Sequence, residues 1–416
     1  MAIPASSTPD SPPARAGEVL RVFRVFLALG LTSFGGPIAH LGYYRREFVD
    51  RRAWLSEGQF AQLIALTQFL PGPASSQLGF AVGLLRAGWR GALAASLAFT
   101  LPSALLLVTF AAVLSQITGA VGLAALHGLK LVALAVVAHG VLQMARRLCP
   151  DPTRAMIAAA AAVVILLTGP AWVQLAVVVL GGLAGVLWCR SAEAVASSEL
   201  AWRHGPRQGW LLVGVFAVLL VGLPVVVGLT GGASGPVGLL AVGEAFYRAG
   251  SLVFGGGHVV LPLLEKSVVG PGWLTENEFL AGYGAAQAVP GPLFTLAAYL
   301  GARLPDAVSG GALPGAAVAL VAVFLPGYLL VAGVLPLWRR LAARPAAARA
   351  IAGINAAVVG LLGAALYNPV FVSAVHSPVD LAIALVGFTL LASWRVSALW
   401  VVAWCVAGRV LAAVLL

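Results

Sequence analysis

Charged residues are scarce in this chain of 416 residues: lysine, arginine, aspartate and glutamate make up 9% of the composition, against 61% hydrophobic residues. So few polar side chains cannot cover a water-soluble surface, which excludes a soluble globular protein. Several apolar runs exceed the roughly 18 residues needed to cross a bilayer. The sequence therefore predicts an all-α polytopic membrane protein whose immediate partner is the lipid bilayer.

Cysteine and the signatures of catalysis are also missing. The three cysteines are far apart and have no histidine at ligand spacing, which argues against a disulfide framework or a metal site. The sequence has no Walker loop, no His-Glu-x-x-His and no paired intramembrane aspartate, and Gly255-Gly256-Gly257 lacks the strand context of a dinucleotide fold. We expect no enzyme activity, cofactor or metal, and any transport would be secondary.

The charge that is present is mostly positive, with a formal net charge of +11. The basic residues form short clusters between apolar runs, and there is no long basic tail. In a membrane protein this pattern indicates cytoplasmic loops and attraction of anions. It does not indicate a nucleic-acid partner.

An internal repeat organises the chain. Residues 54–73 and 273–292 align at a constant offset of 219 and are identical at eight of 20 positions. Phe34-Gly35-Gly36 similarly matches Phe254-Gly255-Gly256. The predicted organisation is a disordered tail at 1–17, a first repeat at 18–192, a linker at 193–237 with an extra apolar segment, and a second repeat at 238–416.

Each repeat carries a Pro-Gly-Pro break inside an apolar run, at 71–73 and 290–292. Proline interrupts a helix, and broken backbone at membrane depth must be buried or line a cavity. The arms at 57–70 and 74–85 would rise only about 21 and 18 Å, less than a hydrocarbon core of about 30 Å. Each break is thus either a kinked span or a re-entrant hairpin, and arginines on both sides of the first one favour the hairpin.

The loops before and after the Pro-Gly-Pro element carry six basic residues in the first repeat and two in the second. This difference predicts opposite orientations of the two repeats. The simplest arrangement is two inverted repeats of about five crossings each, with re-entrant pieces. If each repeat has five crossings, a single crossing by the linker segment at 209–229 would give both repeats the same orientation and contradict this arrangement. The sequence therefore predicts 10–13 membrane segments and leaves the side of the N-terminus open.

A re-entrant break aims a helix N-terminus, with free amides and a positive dipole end, at the membrane interior. Such a terminus suits a tetrahedral oxyanion, although proline and glycine also serve merely as packing kinks. The candidate substrate-binding residues lie at the two kinds of break: Gly35, Gly36, Gln68, Pro71, Gly72, Pro73, Ser75, Ser76, Gln77, Gly255, Gly256, Gly257, His258, Gln287, Pro290, Gly291, Pro292 and Thr295.

Lys130 is the one basic residue deep in an apolar run, and its repeat mate is Asn355. A charge at that depth is by default a functional candidate, here a counter-charge for an anion. The alternative is a lysine that snorkels to the interface or pairs with a helix C-terminus. Both residues join the candidate set.

These motifs resemble the chromate ion transporters, the CHR family, over about residues 18–410. The resemblance in the first repeat rests on Phe34-Gly35-Gly36-Pro37, His40, Arg46-Glu47-Phe48, Trp54-Leu55, Gln68-x-x-Pro71-Gly72-Pro73-x-Ser75 and Gln77-Leu78. In the second repeat it rests on Phe254-Gly255-Gly256-Gly257-His258, Gly272-Trp273-Leu274, Gly282-Tyr283-Gly284, Gln287-Ala288-Val289-Pro290-Gly291-Pro292 and Tyr299-Leu300-Gly301.

The resemblance implies a long-chain, two-domain transporter of a bacterial plasma membrane. Such a protein would export chromate, confer chromate resistance, use the membrane potential or proton motive force, and be inhibited by sulfate. A homodimer is a candidate assembly. The alternative functions are uptake of sulfate or another oxyanion, an enzyme acting on a lipid phosphate, and a structural membrane subunit. The sequence does not separate chromate from sulfate, because amides and hydroxyls read charge and shape.

Overall fold

The computed structural model is built of helices throughout the residues that it describes. These are residues 16–114, 116–117, 119–168, 172–190, 205–230, 238–254, 259–304, 311–338, 341 and 344–415. Among them, six helices are long and apolar enough to cross a membrane, and three shorter apolar helices accompany them. The predicted all-α polytopic membrane fold is confirmed.

The first repeat consists of two helical hairpins followed by crossing helices. Its elements are α1 (Ala16–Thr32), α2 (Gly36–Tyr44) with a π-helical extension (Arg45–Arg51), α3 (Glu57–Phe69), α4 (Ala74–Leu114), α5 (Ala120–Leu148), α6 (Pro152–Leu167) and α7 (Trp172–Trp188). A kink at Ala87 and Gly88 divides α4 into a short hairpin arm and a crossing helix.

The second repeat has the same order after a linker helix. The linker is α8 (Pro206–Leu229), and the repeat contains α9 (Leu239–Ser251), α10 (Val260–Val268), α11 (Glu276–Ala286), α12 (Leu296–Arg303), α13 (Ala312–Val334), α14 (Pro345–Ala365) with a π-helical extension (Leu366–Phe371), α15 (Pro378–Ala392) and α16 (Ala398–Leu415). Residues 1–15, which include most of the predicted disordered tail, lie outside the described residues.

The Pro-Gly-Pro elements are re-entrant hairpins. At the base of the first, the Arg86 guanidinium lies 5.1 Å from the ring centroid of Trp54, so the end of one arm returns to the start of the other. At the base of the second, the Tyr299 hydroxyl donates to the Glu278 carbonyl at 2.8 Å, and Arg303 pairs with the Glu278 carboxylate. The choice between a kinked span and a hairpin is therefore settled for the hairpin in both repeats.

The first broken helix also doubles back, which the sequence reading missed. Arg21 near the start of α1 and Arg52 beyond α2 both lie over Trp54, at 5.9 and 5.7 Å. Both ends of the α1–α2 pair are thus at one membrane face, with the glycine break at the tip between them. The expectation of about five crossings per repeat becomes two hairpins and four crossings.

The hairpins of the two repeats enter from opposite faces. The crossing part of α4 starts beside Arg86, at the base of the first repeat's hairpins. It ends at Leu114, which lines a cavity together with Asn277 and Arg303 at the base of the second repeat's hairpin. That part of α4, residues 89–114, is about 39 Å long, enough to cross the bilayer. The two repeats are therefore inverted.

The linker helix α8 is what makes the inversion geometrically consistent. Each repeat has an even number of crossings, so two repeats joined directly would have the same orientation. Among the described helices, α8 supplies one further apolar helix of 24 residues, and a single crossing reverses the second repeat. Among the described helices, six long and three shorter apolar helices, the two Pro-Gly-Pro hairpins and the helix pairs α1–α2 and α9–α10 make 13 segments, within the predicted 10–13.

The basic loops lie mostly at one end of this arrangement, which we call the basic face. Arg45, Arg51, Arg52 and Arg86 are at the base of the first repeat's hairpins. The positive-inside rule places this face in the cytoplasm, and we call the opposite side the outer face.

The two repeats interlock rather than standing apart. Phe80 in the first arm of α4 stacks on Tyr328 in α13 with 4.6 Å between ring centroids. Reciprocally, Tyr299 in α12 packs against Phe110 in α4 at 5.6 Å. Each repeat's hairpin thus rests on the proline-containing crossing helix of the other repeat.

We predict that Gly250→Ala destabilises this arrangement. A Cβ atom at Gly250 in α9 would lie 2.2 Å from the Val323 carbonyl oxygen in α13. Overpacking of this kind costs about 1–3 kcal/mol. On the same helix, Gly243 has only the Val318 Cγ1 atom at 3.6 Å, so Gly243→Ala should be neutral or stabilising by up to about 1 kcal/mol. Thermal unfolding in detergent compares the two variants, and equal midpoints would contradict the close helix contact.

Candidate functional site

The hairpin tips of both repeats meet through two reciprocal backbone hydrogen bonds. The Gly72 amide donates to the Val253 carbonyl at 2.7 Å, and the Gly291 amide donates to the Ser33 carbonyl at 2.9 Å. In each case a Pro-Gly-Pro tip of one repeat binds the residue before the Phe-Gly-Gly motif of the other. The tips therefore cross at a pseudo-twofold axis, which we call the tip crossing.

Glycine is required at both Pro-Gly-Pro tips. Gly72 and Gly291 have φ values of +125° and +96°, in the region that favours glycine. A Cβ atom at Gly72 would lie 3.0 Å from the Gly327 Cα atom, and one at Gly291 would lie 2.9 Å from the Ser103 Oγ atom. Gly327 and Ser103 each follow the internal proline of a crossing helix, so each tip fits against a helix of the other repeat.

At the tip crossing, backbone carbonyl groups have hydrogen-bond partners, whereas the first backbone amides of one helix do not. Carbonyl groups at the ends of the incoming arms accept hydrogen bonds: Val253 and Ser33 from the opposite tips, and Pro71 from the Gln77 side-chain amide at 2.7 Å. The outgoing arm of α4 begins at Ala74, and the first amides of a helix have no partner inside it. Among the backbone groups at this tip, the balance therefore leaves hydrogen-bond donors, which suits an anion.

Three buried side-chain groups add donor capacity. The Ser33 and Ser76 hydroxyls and the Gln287 Nε2 atom have no hydrogen-bond partner among the residues that the structure describes. Ser33 is 0% and Ser76 3% exposed. Leaving a buried polar group unpaired costs free energy, so such groups call for an explanation. Each of these groups is able to donate a hydrogen bond to an oxyanion.

His40 and Ser33 belong to this site although neither was in the candidate set; His40 appeared only in the family motif. The His40 Nδ1 atom lies 3.3 Å from the Ser75 hydroxyl, and its Nε2 atom lies 3.2 Å from the Ser33 carbonyl oxygen. His40 is 0% exposed. The available signal was position, because Ser33 directly precedes the Phe-Gly-Gly break and His40 follows it by one helical turn.

Gln68 and Gln287, which are repeat mates, differ in their surroundings. The Gln68 Oε1 atom accepts a hydrogen bond from Arg147 at 2.9 Å, and this arginine is exposed at the end of α5. The Gln287 amide is buried. On the side of the basic face, Gln68 is therefore accompanied by the cationic Arg147, whereas Gln287 presents a neutral donor.

The structure gives other predicted residues internal partners. Gln77 holds the Pro71 and Gly327 carbonyls through its Nε2 atom, at 2.7 and 3.2 Å. The Thr295 hydroxyl donates to the Pro292 carbonyl at 2.7 Å. Both side chains hold the shape of a tip. Their contact with a substrate remains a prediction.

The glycine breaks are described in the first repeat only. Gly35 and Gly36 have φ values of +98° and +75° and form the tip between α1 and α2. The corresponding residues Gly255, Gly256, Gly257 and His258 lie outside the described residues.

Lys130 is not brought to the tip crossing. Its Nζ atom donates to the Asn277 Oδ1 atom at 2.7 Å, at the base of the second Pro-Gly-Pro hairpin. Asn277 precedes Gln287 by ten residues, or about 15 Å along a helix. Asn355, the repeat mate of Lys130, lies in α14. Its buried Oδ1 atom lacks a partner within the described part of the chain. A direct role for either in binding substrate stays a prediction.

Crossed re-entrant tips between inverted repeats, with polar groups in the membrane interior, define the class of secondary transporters. The chain belongs to the chromate transporter family, whose model matches residues 20–186 and 240–410, one stretch in each repeat. It is a multi-pass protein of the bacterial inner membrane and not a member of an enzyme family. The predicted family is therefore confirmed.

Full-length relatives support the assignment. The chain is 30% identical to the chromate transport protein of Pseudomonas aeruginosa over 389 residues, covering 90% of this chain and 87% of the relative. It is 29% identical to the probable chromate transport protein of Synechococcus elongatus, with 91% of each covered. It is also 29% identical to the chromate transport protein of Cupriavidus metallidurans, with 88% and 85% covered. No solved structure matches the chain.

Proposed function

We propose that this protein exports chromate from the cytoplasm as a secondary transporter and thereby confers chromate resistance. The observation that carries the proposal is the tip crossing, where the Pro-Gly-Pro tips bind the opposite repeats and where Ser33, Ser76 and Gln287, in or beside these tips, have buried donor atoms without a partner among the described residues. A tetrahedral dianion would accept hydrogen bonds from several directions at once. The names of the full-length relatives identify chromate as the oxyanion to test first.

The driving force follows from charge. Moving one elementary charge across 100 mV is worth about 2.3 kcal/mol, so a dianion leaving a negative interior gains about 4.6 kcal/mol. No ATP-binding motif occurs in the sequence. The membrane potential, alone or with a proton gradient, is thus sufficient to drive export. Arg147 at the basic face would attract the anion from the cytoplasmic side.

Sulfate is the alternative cargo. Neutral donors distinguish oxyanions by charge and shape, and sulfate shares both with chromate. Sulfate would therefore compete at the tip crossing, and uptake of sulfate is the rival function.

Transport in oriented vesicles tests the proposal. In inside-out vesicles from cells that express the protein, an interior-positive potential should drive labelled chromate into the lumen, and sulfate should reduce the rate. Vesicles without the protein, and vesicles with the potential collapsed by an ionophore, serve as controls. Chromate entry into right-side-out vesicles at an interior-negative potential, or sulfate transport without chromate transport, would contradict export of chromate.

A further inference from the structure

A second cluster of ionisable side chains lies away from the tip crossing, where α5, α15 and α16 meet. The His127 Nε2 atom lies 3.2 Å and the Arg409 Nε atom 3.1 Å from the same Asp380 oxygen, Oδ1. The Asp380 side chain is only 2% exposed. A carboxylate so deeply buried in a membrane protein, paired with an imidazole and a guanidinium, is a functional candidate by default.

The other Asp380 oxygen is held by the start of α15. The Ser377 hydroxyl donates to Oδ2 at 2.9 Å, and the His376 amide donates at 3.2 Å. The exposed His376 ring lies 5.3 Å from the His127 ring, centroid to centroid. The carboxylate is thus fixed by four groups, while a pair of imidazoles connects it to the surface.

The cluster adjoins the base of the second Pro-Gly-Pro hairpin at the outer face. His127 and Lys130, one turn apart on α5, line a cavity of about 270 Å³ together with Asn277 of α11. Lys130 binds Asn277, and the neighbouring Glu276 is hydrogen-bonded to Ser373. Further along, the backbones of α5 and α11 are in close contact, because a Cβ atom at Gly284 would lie 2.1 Å from the Leu129 carbonyl oxygen.

The charges around the cluster favour a proton over a metal ion. The groups that face His127 are Asp380 and Arg409 from α15 and α16, His376, and Lys130 from its own helix, while Glu276 of α11 faces Lys130. Histidine and aspartate are metal ligands by type, but Arg409 already contacts the Asp380 oxygen that faces His127. The permanent charges of Arg409 and Lys130 also oppose the double charge of a metal ion more strongly than the single charge of a proton. Among these side chains, imidazole is the one that ordinarily changes charge near neutral pH.

We propose that His127 and Asp380 form the site that binds the driving proton of chromate transport from the outer face, an inference that rests on the proposed function. A proton from outer water, passed along by His376, adds to the Nδ1 atom of His127, while the Nε2 atom faces Asp380. The imidazolium then binds Asp380 more tightly and repels Lys130. Because Lys130 holds Asn277, the change reaches the hairpin whose tip carries Gln287 and Gly291.

Purified protein in liposomes tests this site with two measurements. The first is net chromate flux with and without an imposed pH gradient at fixed membrane potential. The second is exchange of labelled for unlabelled chromate, which requires no net movement of protons. We expect His127→Gln and Asp380→Asn to lose acceleration by the gradient and to keep exchange. His139→Gln is the matched control on α5, because that ring contacts Gln143 instead of the cluster.

The outcomes separate the two proposals. If the wild type carries no chromate in either assay, the proposed function itself is wrong. If it carries chromate and His127→Gln retains the full acceleration by the gradient, the proton site is wrong and the proposed function stands. Equal loss of exchange and acceleration would also overturn the proton site, in favour of a structural or substrate-binding role. His127→Gln leaves three of the four Asp380 contacts intact, so it decides the question if Asp380→Asn fails to fold.

Discussion

Gly72→Ala is expected to reduce chromate transport by more than about tenfold. The new methyl group would lie 2.7 Å from the Gln77 Nε2 atom and 3.0 Å from the Gly327 Cα atom, on a backbone with φ of +125°. A left-handed backbone costs about 1–2 kcal/mol and overpacking about 1–3 kcal/mol, and each 1.4 kcal/mol corresponds to a factor of ten. The strain falls on the tip whose amide binds Val253, so both halves of the site are displaced.

Gly272→Ala is the matched control for this experiment. Gly272 also has a positive φ, +76°, but a Cβ atom there would meet nothing within 4 Å. It lies in the loop before α11, away from the tip crossing. Flux in liposomes at equal protein content compares the two variants. Wild-type flux in Gly72→Ala would show that close contact at this tip is not required for transport.

Ser76→Ala is expected to raise the KM for chromate on the order of tenfold or more. The Ser76 hydroxyl is buried and has no hydrogen-bond partner within the described residues, so it is free to donate to an anion. A hydrogen bond to a charged group is worth about 1.5–3 kcal/mol, or roughly 10- to 100-fold in affinity. Because the hydroxyl binds no group among the described residues, its removal should leave stability nearly unchanged. The double variant Ser33→Ala, Ser76→Ala should show a larger effect.

Ser251→Ala tests whether removing the hydroxyl of any buried serine would raise the KM for chromate. Ser251 is 2% exposed, and its hydroxyl donates to the Tyr247 carbonyl of its own helix at 2.7 Å. We expect a wild-type KM in this variant. The measurement is the initial rate of chromate flux over a concentration series, with thermal unfolding as the check on folding. An unchanged KM in both Ser33→Ala and Ser76→Ala would remove these hydroxyls from the binding site.

Much of the fold could be predicted because the signals are local. Apolar runs identify membrane helices, and the offset between the two Trp-Leu motifs identifies the repeat without reference to structure. Pro71 and Pro73, one on each side of Gly72, break the helix, whereas the single Pro102 and Pro326 remain inside their helices. Arginines on both sides of the first break indicated a hairpin, and Arg86 above Trp54 agrees with that prediction.

The same charge argument could have revealed the first hairpin as well. Arg21 and Arg24 precede the glycine break, and Arg45 and Arg46 follow it, so both ends are basic. Glycines alone do not distinguish a kink from a reversal, because they permit both. The length of the run, about 26 residues from Val19 to Tyr44, suits one crossing as well as it suits two short arms.

The candidate site also has a part that the sequence reveals and a part that only the tertiary structure places. The break positions and the donors at Ser75, Ser76 and Gln287 are visible in the sequence, since a motif marks each of them. Lys130 was selected for its charge alone, and the structure places its ammonium group beside Asn277 at the base of the hairpin and not at the tips. Nothing in the local sequence of α5 specifies which hairpin, or which end of it, the helix contacts.

The sequence by itself determined the membrane class, the two repeats, the positions of the helix breaks and the family. These properties depend on composition and on short motifs, which act through backbone chemistry at the residues themselves. Only the tertiary structure decided that the tips of opposite repeats bind each other, that α8 inverts the second repeat, and that His127, Asp380 and Arg409 meet. Most of those contacts join residues of different repeats that are far apart in the sequence, such as Ser33 with Gly291 and His127 with Asp380. They form because interlocked helices bury surfaces that neither repeat covers alone.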